Sequence, residues 1–409
     1  MGILNSVTFN FVILSASEES SASTVILSAS EESSRAMLVG EILHCVQDDG
    51  VCFAFRLHNR NFVANFVMMK KIASLFIAAL IIIPEMSYSQ EFTMFRHTPY
   101  GKSFLADSHP AFLRLDVSAH TNNPIYDFGK TGKSYRPQAL GLFGIDIPIF
   151  RFESADKKHA IASSLELSAN LWLDIFESLT APVVDTDYRI GAPTFIYMMR
   201  LGDGFAKNWS VSWSPFKHES THIGDELQIQ RMENEYVLRR VNVSYNYTEL
   251  AVTLNEPENR YLSLHSFRAG VMLLWKPEKG WYDVNEKAGD GNSKAVHPTR
   301  SPWEGYLQYQ FQSNASKNGF AAVVSVEIRN RVLYGYDLTL TDISADKSGS
   351  DSRRFTYNIF AGFKYNIPGY EGYFSKLMFG VRAFHGICPF GMFRSIDNYS
   401  QIGPCLIFQ

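Results

Sequence analysis

The chain has 409 residues, a formal net charge of −3, 14% aromatic residues and a mean hydropathy of only −0.10. Apolar and aromatic residues spread thinly among polar ones exclude a bundle of membrane helices. The absence of a basic excess excludes the electrostatic footprint of a nucleic-acid binder.

Residues 1–68 repeat VILSASEES at Val12–Ser20 and Val25–Ser33. They read as a spurious N-terminal extension from an over-extended reading frame, or as a disordered Ser/Glu-rich one. From Met69 the sequence MKKIASLFIAALIIIPEMSYSQ has Lys70 and Lys71, an apolar run Ile72–Ile83 and the small-residue site Ser87-Tyr88-Ser89. That is the layout of a signal peptide over 69–89, cleaved near Ser89, with an apolar run too short to span a membrane. From Gln90 onward basic and acidic residues balance at 33 each, and Cys388 and Cys405 remain, too few for a disulfide scaffold. Residues 90–110 are expected as a periplasmic lead-in and 111–409 as a single domain.

Within that domain the dominant period is two. Leu165, Leu167, Ala169, Leu171 and Leu173 alternate with Ser164, Glu166, Ser168 and Asn170. Val324, Val326 and Ile328 alternate with Ser325, Glu327, Arg329 and Arg331. Phe355, Tyr357, Ile359, Ala361 and Phe363 alternate with Thr356, Asn358, Gly362 and Lys364, Phe360 being the exception. A soluble sandwich alternates too. Here, however, the polar faces carry mid-strand charges such as Arg114, Asp116, Lys364 and Arg382, and aromatics gather near strand ends. An exported chain with no spanning helix can satisfy its backbone in lipid by closing a sheet. The expected fold is all-β, a transmembrane antiparallel up-and-down β-barrel of about twelve strands in the bacterial outer membrane. The strands are expected at roughly 112–118, 138–152, 160–174, 191–202, 208–218, 236–251, 259–275, 303–313, 319–334, 353–366, 375–386 and 399–408. Trp275 to Trp303 reads as one long loop, and the C-terminal QIGPCLIFQ as the strand that closes on the first.

The stretch SPFKHESTHIGDE, Ser214–Glu226, carries the chemistry. His218-Glu219-Ser220-Thr221-His222 spells H-E-x-x-H, but zinc binding by that motif needs a helix to bring i and i+4 together. On a strand the two histidines stand about 13 Å apart, so no zinc is expected. His218-x-Ser220 resembles the motif of outer-membrane phospholipase A and lipid A deacylase, in which His and Ser share one strand face and a neighbouring strand supplies an orienting polar group. Ser220 as nucleophile, His218 as base and Asn242 as orienter would make that arrangement, with Asp225 and Glu226 as a possible cation site and Ca²⁺ as the cofactor only if the chain is a hydrolase. Parity opposes it. His218 has the parity of Ser210, Ser212 and Ser214, and Val211, Trp213 and Pro215 have the other. An uninterrupted strand therefore turns His218 and Ser220 into the lumen, with Asn242, Arg240 and Asn246. Only a bulge at Pro215 would reverse them. The lumen-facing reading is a polar cluster of these residues with His222, Glu327, Arg329, Arg331, Lys364 and Arg382.

Four motifs line up in order: Leu105-Ala106-Asp107-x-x-Pro110, Asp187-Tyr188-Arg189-Ile190-Gly191, His218-x-Ser220-Thr221-His222-Ile223-Gly224-Asp225-Glu226, and His385-Gly386-x-x-Pro389-Phe390-Gly391-x-Phe393-Arg394. Together they resemble a bacterial outer-membrane barrel family known only as a domain of unknown function. The resemblance implies the barrel and carries over no catalytic residue. The expectation is an outer-membrane barrel of undefined role, with a lipid or ester hydrolase as the first alternative and a small-solute pore, its selectivity set by the lumenal charges, as the second. The expected partners are outer-membrane lipid and, during biogenesis, the barrel-assembly machinery, for a monomer or weak oligomer.

Overall fold

The computed structural model describes residues 41–46, 51–56, 91–95, 103–121, 137–175, 183–202, 205–224, 241–256, 265–275, 281–283, 295–296, 303–314, 319–333, 352–367 and 375–409. Met1–Pro84 and Glu85–Gln409 are separate compact units. In the first, Glu41–Val46 and Val51–Arg56 form an antiparallel hairpin.

The second unit is a closed antiparallel barrel. Its strands are β1 (Leu113–Thr121), β2 (Pro137–Glu153), β3 (His159–Leu173), β4 in two pieces (Val183–Gly191 and Thr194–Arg200), β5 (Asn208–Ile223) and β6 (Ser244–Leu254). The second half holds β7 (His265–Leu274), β8 (Trp303–Gln312), β9 (Phe320–Val332), β10 (Arg353–Asn366), β11 (Lys376–Gly386) and β12 (Tyr399–Phe408). Each strand pairs with the next, and β12 returns to β1 with Phe408 opposite Leu113 and Leu406 opposite Leu115. Twelve strands and the closing C-terminal strand are as the periodicity predicts. The fourth, fifth and sixth strands differ in extent, and β5 runs on past 218 to Ile223. β4 begins at Val183 rather than near 191, and β6 begins at Ser244. Val241–Asn242 instead pairs with Trp281–Asp283, itself paired with Ala295–Val296, inside the stretch expected as one loop.

The two wall faces have opposite chemistry. Outward positions carry Leu115, Val117, Ile145, Val252, Leu307, Ile359 and Val381, all exposed, as a lipid-facing belt requires. Inward positions bury Arg114, Asp116, Glu327, Arg329, Arg331, Lys364 and Arg382. Three proline-marked irregularities break the alternation. The β2/β3 register shifts between Pro148 and Phe150, β4 is interrupted at Pro193, and β5 shifts against β6 at Pro215 and Phe216. Proline cannot donate to a ladder, so within sheets it collects at bulges and edges.

The lumen is occupied. Residues 103–112 run inside the barrel, whereas 90–110 are expected as a periplasmic lead-in. The Leu105 amide donates to Gln310 Oε1 and the Ala106 amide to Ser325 Oγ, both at 3.0 Å, and Asn358 Nδ2 donates to the Ala106 carbonyl at 2.6 Å. Phe360, the apolar residue on the polar face of β10, is explained by this segment. It is fully buried in a cluster with Leu105, Phe112, Leu142, Val323 and Met378. At the end of the barrel reached by β11, residues 387–398 fold inward and stack Phe390 on Trp172 at 4.8 Å. Phe393, Cys388, Tyr245 and Tyr399 belong to the same second apolar cluster. Cys388 and Cys405 are free thiols in different clusters.

The outward belt is tested by placing a charge in it. Ile359→Arg, outward on β10 opposite Val326 and Ala383, is expected to lower stability by about 2–4 kcal/mol in urea titrations from liposomes. An unchanged midpoint would contradict a lipid-facing Ile359.

Candidate functional site

The site is made by one extra residue. Across β5 and β6, Tyr247 pairs with Lys217 but Glu249 pairs with Ser214, so Pro215 and Phe216 together oppose Thr248. Thr248 Oγ1 donates to the Pro215 carbonyl at 2.9 Å and accepts from Trp275 Nε1 at 2.9 Å, which fixes the bulge. Before it Ser210 and Ser214 are buried inward; after it Lys217, Glu219 and Thr221 are. Strand β4 keeps step with β5 across the same level, with Gly191 opposite Lys217 and Phe195 opposite Trp213.

The faces therefore reverse, and the lumenal placement of His218, Ser220, His222 and Asn246 is corrected. His218 lies beside Ile190 and Ser220 beside Tyr188, and both neighbours are exposed at more than half of their surface. Across the other ladder His218 faces Asn246 and Ser220 faces Ser244. For His218, Ser220 and His222 the physical reason is the period of two, since one inserted residue in β5 moves every later side chain to the opposite face. Asn246 lies on β6, whose alternation is unbroken, with Tyr245 and Tyr247 buried inward and Leu250 and Val252 exposed outward.

On this outer wall His218 Nδ1–H donates to Asn246 Oδ1 at 2.7 Å, and the Ser244 hydroxyl lies 3.4 Å from Nε2. The polar partner of His218 is Asn246; the side chains of Asn242, Arg240, Asp225 and Glu226 lie outside the described residues. The Thr221 amide donates to the Val243 carbonyl at 2.9 Å, so 221/243 is a hydrogen-bonded pair. Its neighbours 220/244 and 218/246 alternate with it and are of the non-hydrogen-bonded kind, in which facing side chains come closest. His218, Ser220, Ser244 and Asn246 are half-buried and His222 is exposed, so the group is reachable from outside. Phe216 and Trp275, ring centroids 5.4 Å apart, lie next to it along the strands. Because His218 and His222 sit on an extended strand, the helical metal geometry of H-E-x-x-H is not formed. Among the described residues no group of three or more His, Cys, Asp or Glu side chains is arranged to hold a metal.

Behind this wall the four sequence motifs converge. Glu219, inward between His218 and Ser220, lies 3.5 Å from Arg189 Nε and 3.6 Å from His109 Nε2. Thr221 Oγ1 donates to Asp185 at 2.9 Å, and the Gly391 amide donates to Asp187 at 3.1 Å. A Cβ on Gly391 would stand 3.0 Å from Thr221 Cβ, so glycine permits this approach. Lys217 Nζ bridges Glu166 at 2.7 Å and Glu249 at 3.0 Å, and Tyr306 donates to Glu249 at 2.6 Å. Deeper in, Glu327 accepts from Ser108, Gln308 and Arg329, while Asp107 lies 3.9 Å from Arg329. Glu304 pairs with Arg394, Arg331 Nη1 reaches the Cys388 carbonyl at 3.5 Å, and Asp116 pairs with both Arg114 and Arg382. Lys364 Nζ donates to Gln312 Oε1 at 3.3 Å. Buried charges need partners, and these lumenal charges largely meet one another.

No protein-family model matches the chain, and no curated protein matches it. Among solved structures it is similar to outer membrane phospholipase A from Escherichia coli, at 8% identity and a TM-score of 0.37 over 77% of this chain and 94% of that one. It is also similar to the translocator domain of the autotransporter NalP from Neisseria meningitidis, at 10% identity and a TM-score of 0.33 over 85% and 98%. OprD of Pseudomonas aeruginosa follows at 10% identity and a TM-score of 0.25 over 77% and 98%. These are likenesses of outer-membrane barrel architecture alone.

Two outcomes check this description. In a cysteine-free background, Ser220→Cys carrying a small fluorophore should be strongly quenched by brominated lipid and Thr221→Cys should not. The reverse pattern would place Ser220 in the lumen. Glu304→Ala, which leaves Arg394 and Arg331 without their carboxylate, should cost about 3–5 kcal/mol of stability in denaturant unfolding.

Proposed function

We propose that this barrel is an outer-membrane hydrolase that cleaves an ester bond of a lipid lying against its outer wall. His218 is the general base and Asn246 orients it. The nucleophile is a hydroxyl of the facing Ser220/Ser244 pair. The single observation that carries the reading is the outward His218–Asn246 hydrogen bond. Polar side chains on a lipid-facing wall are costly unless they are satisfied or used. A carboxamide oxygen on Nδ1–H holds the imidazole as the tautomer whose Nε2 is free to accept a proton. Exposed Tyr188 and Ile190 next door offer an apolar bed for an acyl chain. The barrel would reach the outer membrane after signal-peptide cleavage near Ser89. With the longer connections outside, the site would lie at the outer leaflet.

The lumen supports this reading over a solute pore, because residues 103–112 and 387–398 fill the described interior. The resemblance to an uncharacterised barrel family is compatible with it, since the four motifs meet behind the strand that carries His218.

Detergent-refolded protein should release fatty acid from phospholipid vesicles, and His218→Ala should lower the rate by at least about 10²-fold. Asn246→Ala should cost less than His218→Ala. Equal, background-level release from wild type and His218→Ala would eliminate the hydrolase.

A further inference from the structure

We infer that Ser244, and not the serine of the His-x-Ser motif, is the nucleophile; this rests on the hydrolase reading above and assigns its attacking atom. His218 is tied at Nδ1 to Asn246 on β6, and that tether leans the ring over β6 rather than along its own strand. Nε2 is thereby carried toward the β6 residue two before Asn246, and Ser244 Oγ lies 3.4 Å from it. Because Nδ1 donates to Asn246 Oδ1, Nε2 has the lone pair, and the Ser244 hydroxyl is the group placed to donate to it. A nucleophile–base distance slightly beyond a normal hydrogen bond is common before substrate binds. Ser220 stands directly across the ladder from Ser244 on the same outward face. That position suits a hydroxyl that donates to the carbonyl oxygen as charge develops there.

The covalent steps balance among the ester, Ser244, His218 and water. Ser244 Oγ attacks the ester carbonyl carbon and its proton passes to Nε2. The carbonyl–alkoxy bond breaks, the leaving alkoxide takes that proton, and the lyso-lipid departs from an acyl-Ser244. Water then attacks the acyl carbon, gives a proton to Nε2, and the fatty acid leaves as that proton returns to Ser244 Oγ. Asn246 stays neutral and only holds the ring.

The signal that exposes this serine is tertiary. Ser244 belongs to no motif with His218, being 26 residues away, and the strand register alone brings the two together.

The test is covalent labelling of refolded wild type in lipid vesicles with an alkyl fluorophosphonate, followed by peptide mapping. Ser244 should carry the label, with fluoride lost. Ser244→Ala should abolish labelling and reduce fatty-acid release by at least about 10²-fold, while Ser220→Ala should still be labelled and lose about 10²–10³-fold in turnover. Heat-modified electrophoretic mobility verifies that each variant is a folded barrel, and mapping the wild type needs no variant at all. A label on Ser220, surviving in Ser244→Ala, would overturn this assignment while leaving the hydrolase intact. No label together with no lipid release by the wild type would overturn the hydrolase reading, and the nucleophile with it.

Discussion

A barrel wall surrounded by lipid has no water to satisfy its backbone, so every amide and carbonyl must find its partner in the ladder or at a designed interruption. In this chain that constraint sets almost everything else. It forces the sheet to close, with β12 on β1. It fixes the period of two that separates a lipid face from a lumen face. Three of the sheet's irregularities fall where a proline has no amide to satisfy, and another leaves Val184 as an extra residue opposite Trp172 and Leu173. The Pro215 bulge is one of the three, held by the Thr248 hydroxyl on the Pro215 carbonyl. Its consequence reaches beyond the backbone, because the strand beyond it presents His218 and Ser220 to the outside and Glu219 and Thr221 to the inside.

That exchange divides labour across the thickness of one strand. Inside, charged residues contributed by the lumenal segment, β4, β5 and the inward-folded loop after β11 meet one another. Outside, two serines, a histidine and an asparagine form a small polar island in an apolar wall. The inner network gives the outer residues a rigid backing. Glu219 is ion-paired with Arg189 of β4, Thr221 is hydrogen-bonded to Asp185 of β4, and the Gly391 amide donates to Asp187 on the same strand. A site on a strand so supported keeps its geometry better than one on a loop. The filled lumen and the outward island are thus parts of one arrangement.

Much of the fold was legible because alternation is a local signal. Leu165 to Leu173 and Phe355 to Phe363 declare their faces without reference to any partner, and Glu327, Arg329 and Arg331 declare the lumen. Phe360 breaks the pattern. Its reason lies far away in sequence, in Leu105 and Phe112 inside the barrel. Strands β4 and β5 extend beyond their alternating stretches where Asp187 is held by the inward-folded loop and Thr221 by Asp185, and β6 is shorter because Val241–Asn242 leaves the wall to pair elsewhere.

The barrel, its strand number and the character of its two faces are written in the sequence. All of these follow from composition and from a period that each strand carries alone. The sequence also named the one place, Pro215, where the faces could exchange. Only the tertiary structure decided that they do exchange, and that Asn246 and Ser244 are the groups within reach of the imidazole. The reason is that a bulge is a relation between two strands. Whether Pro215 and Phe216 share one partner depends on how β6 pairs, and that register is set by the closed sheet as a whole.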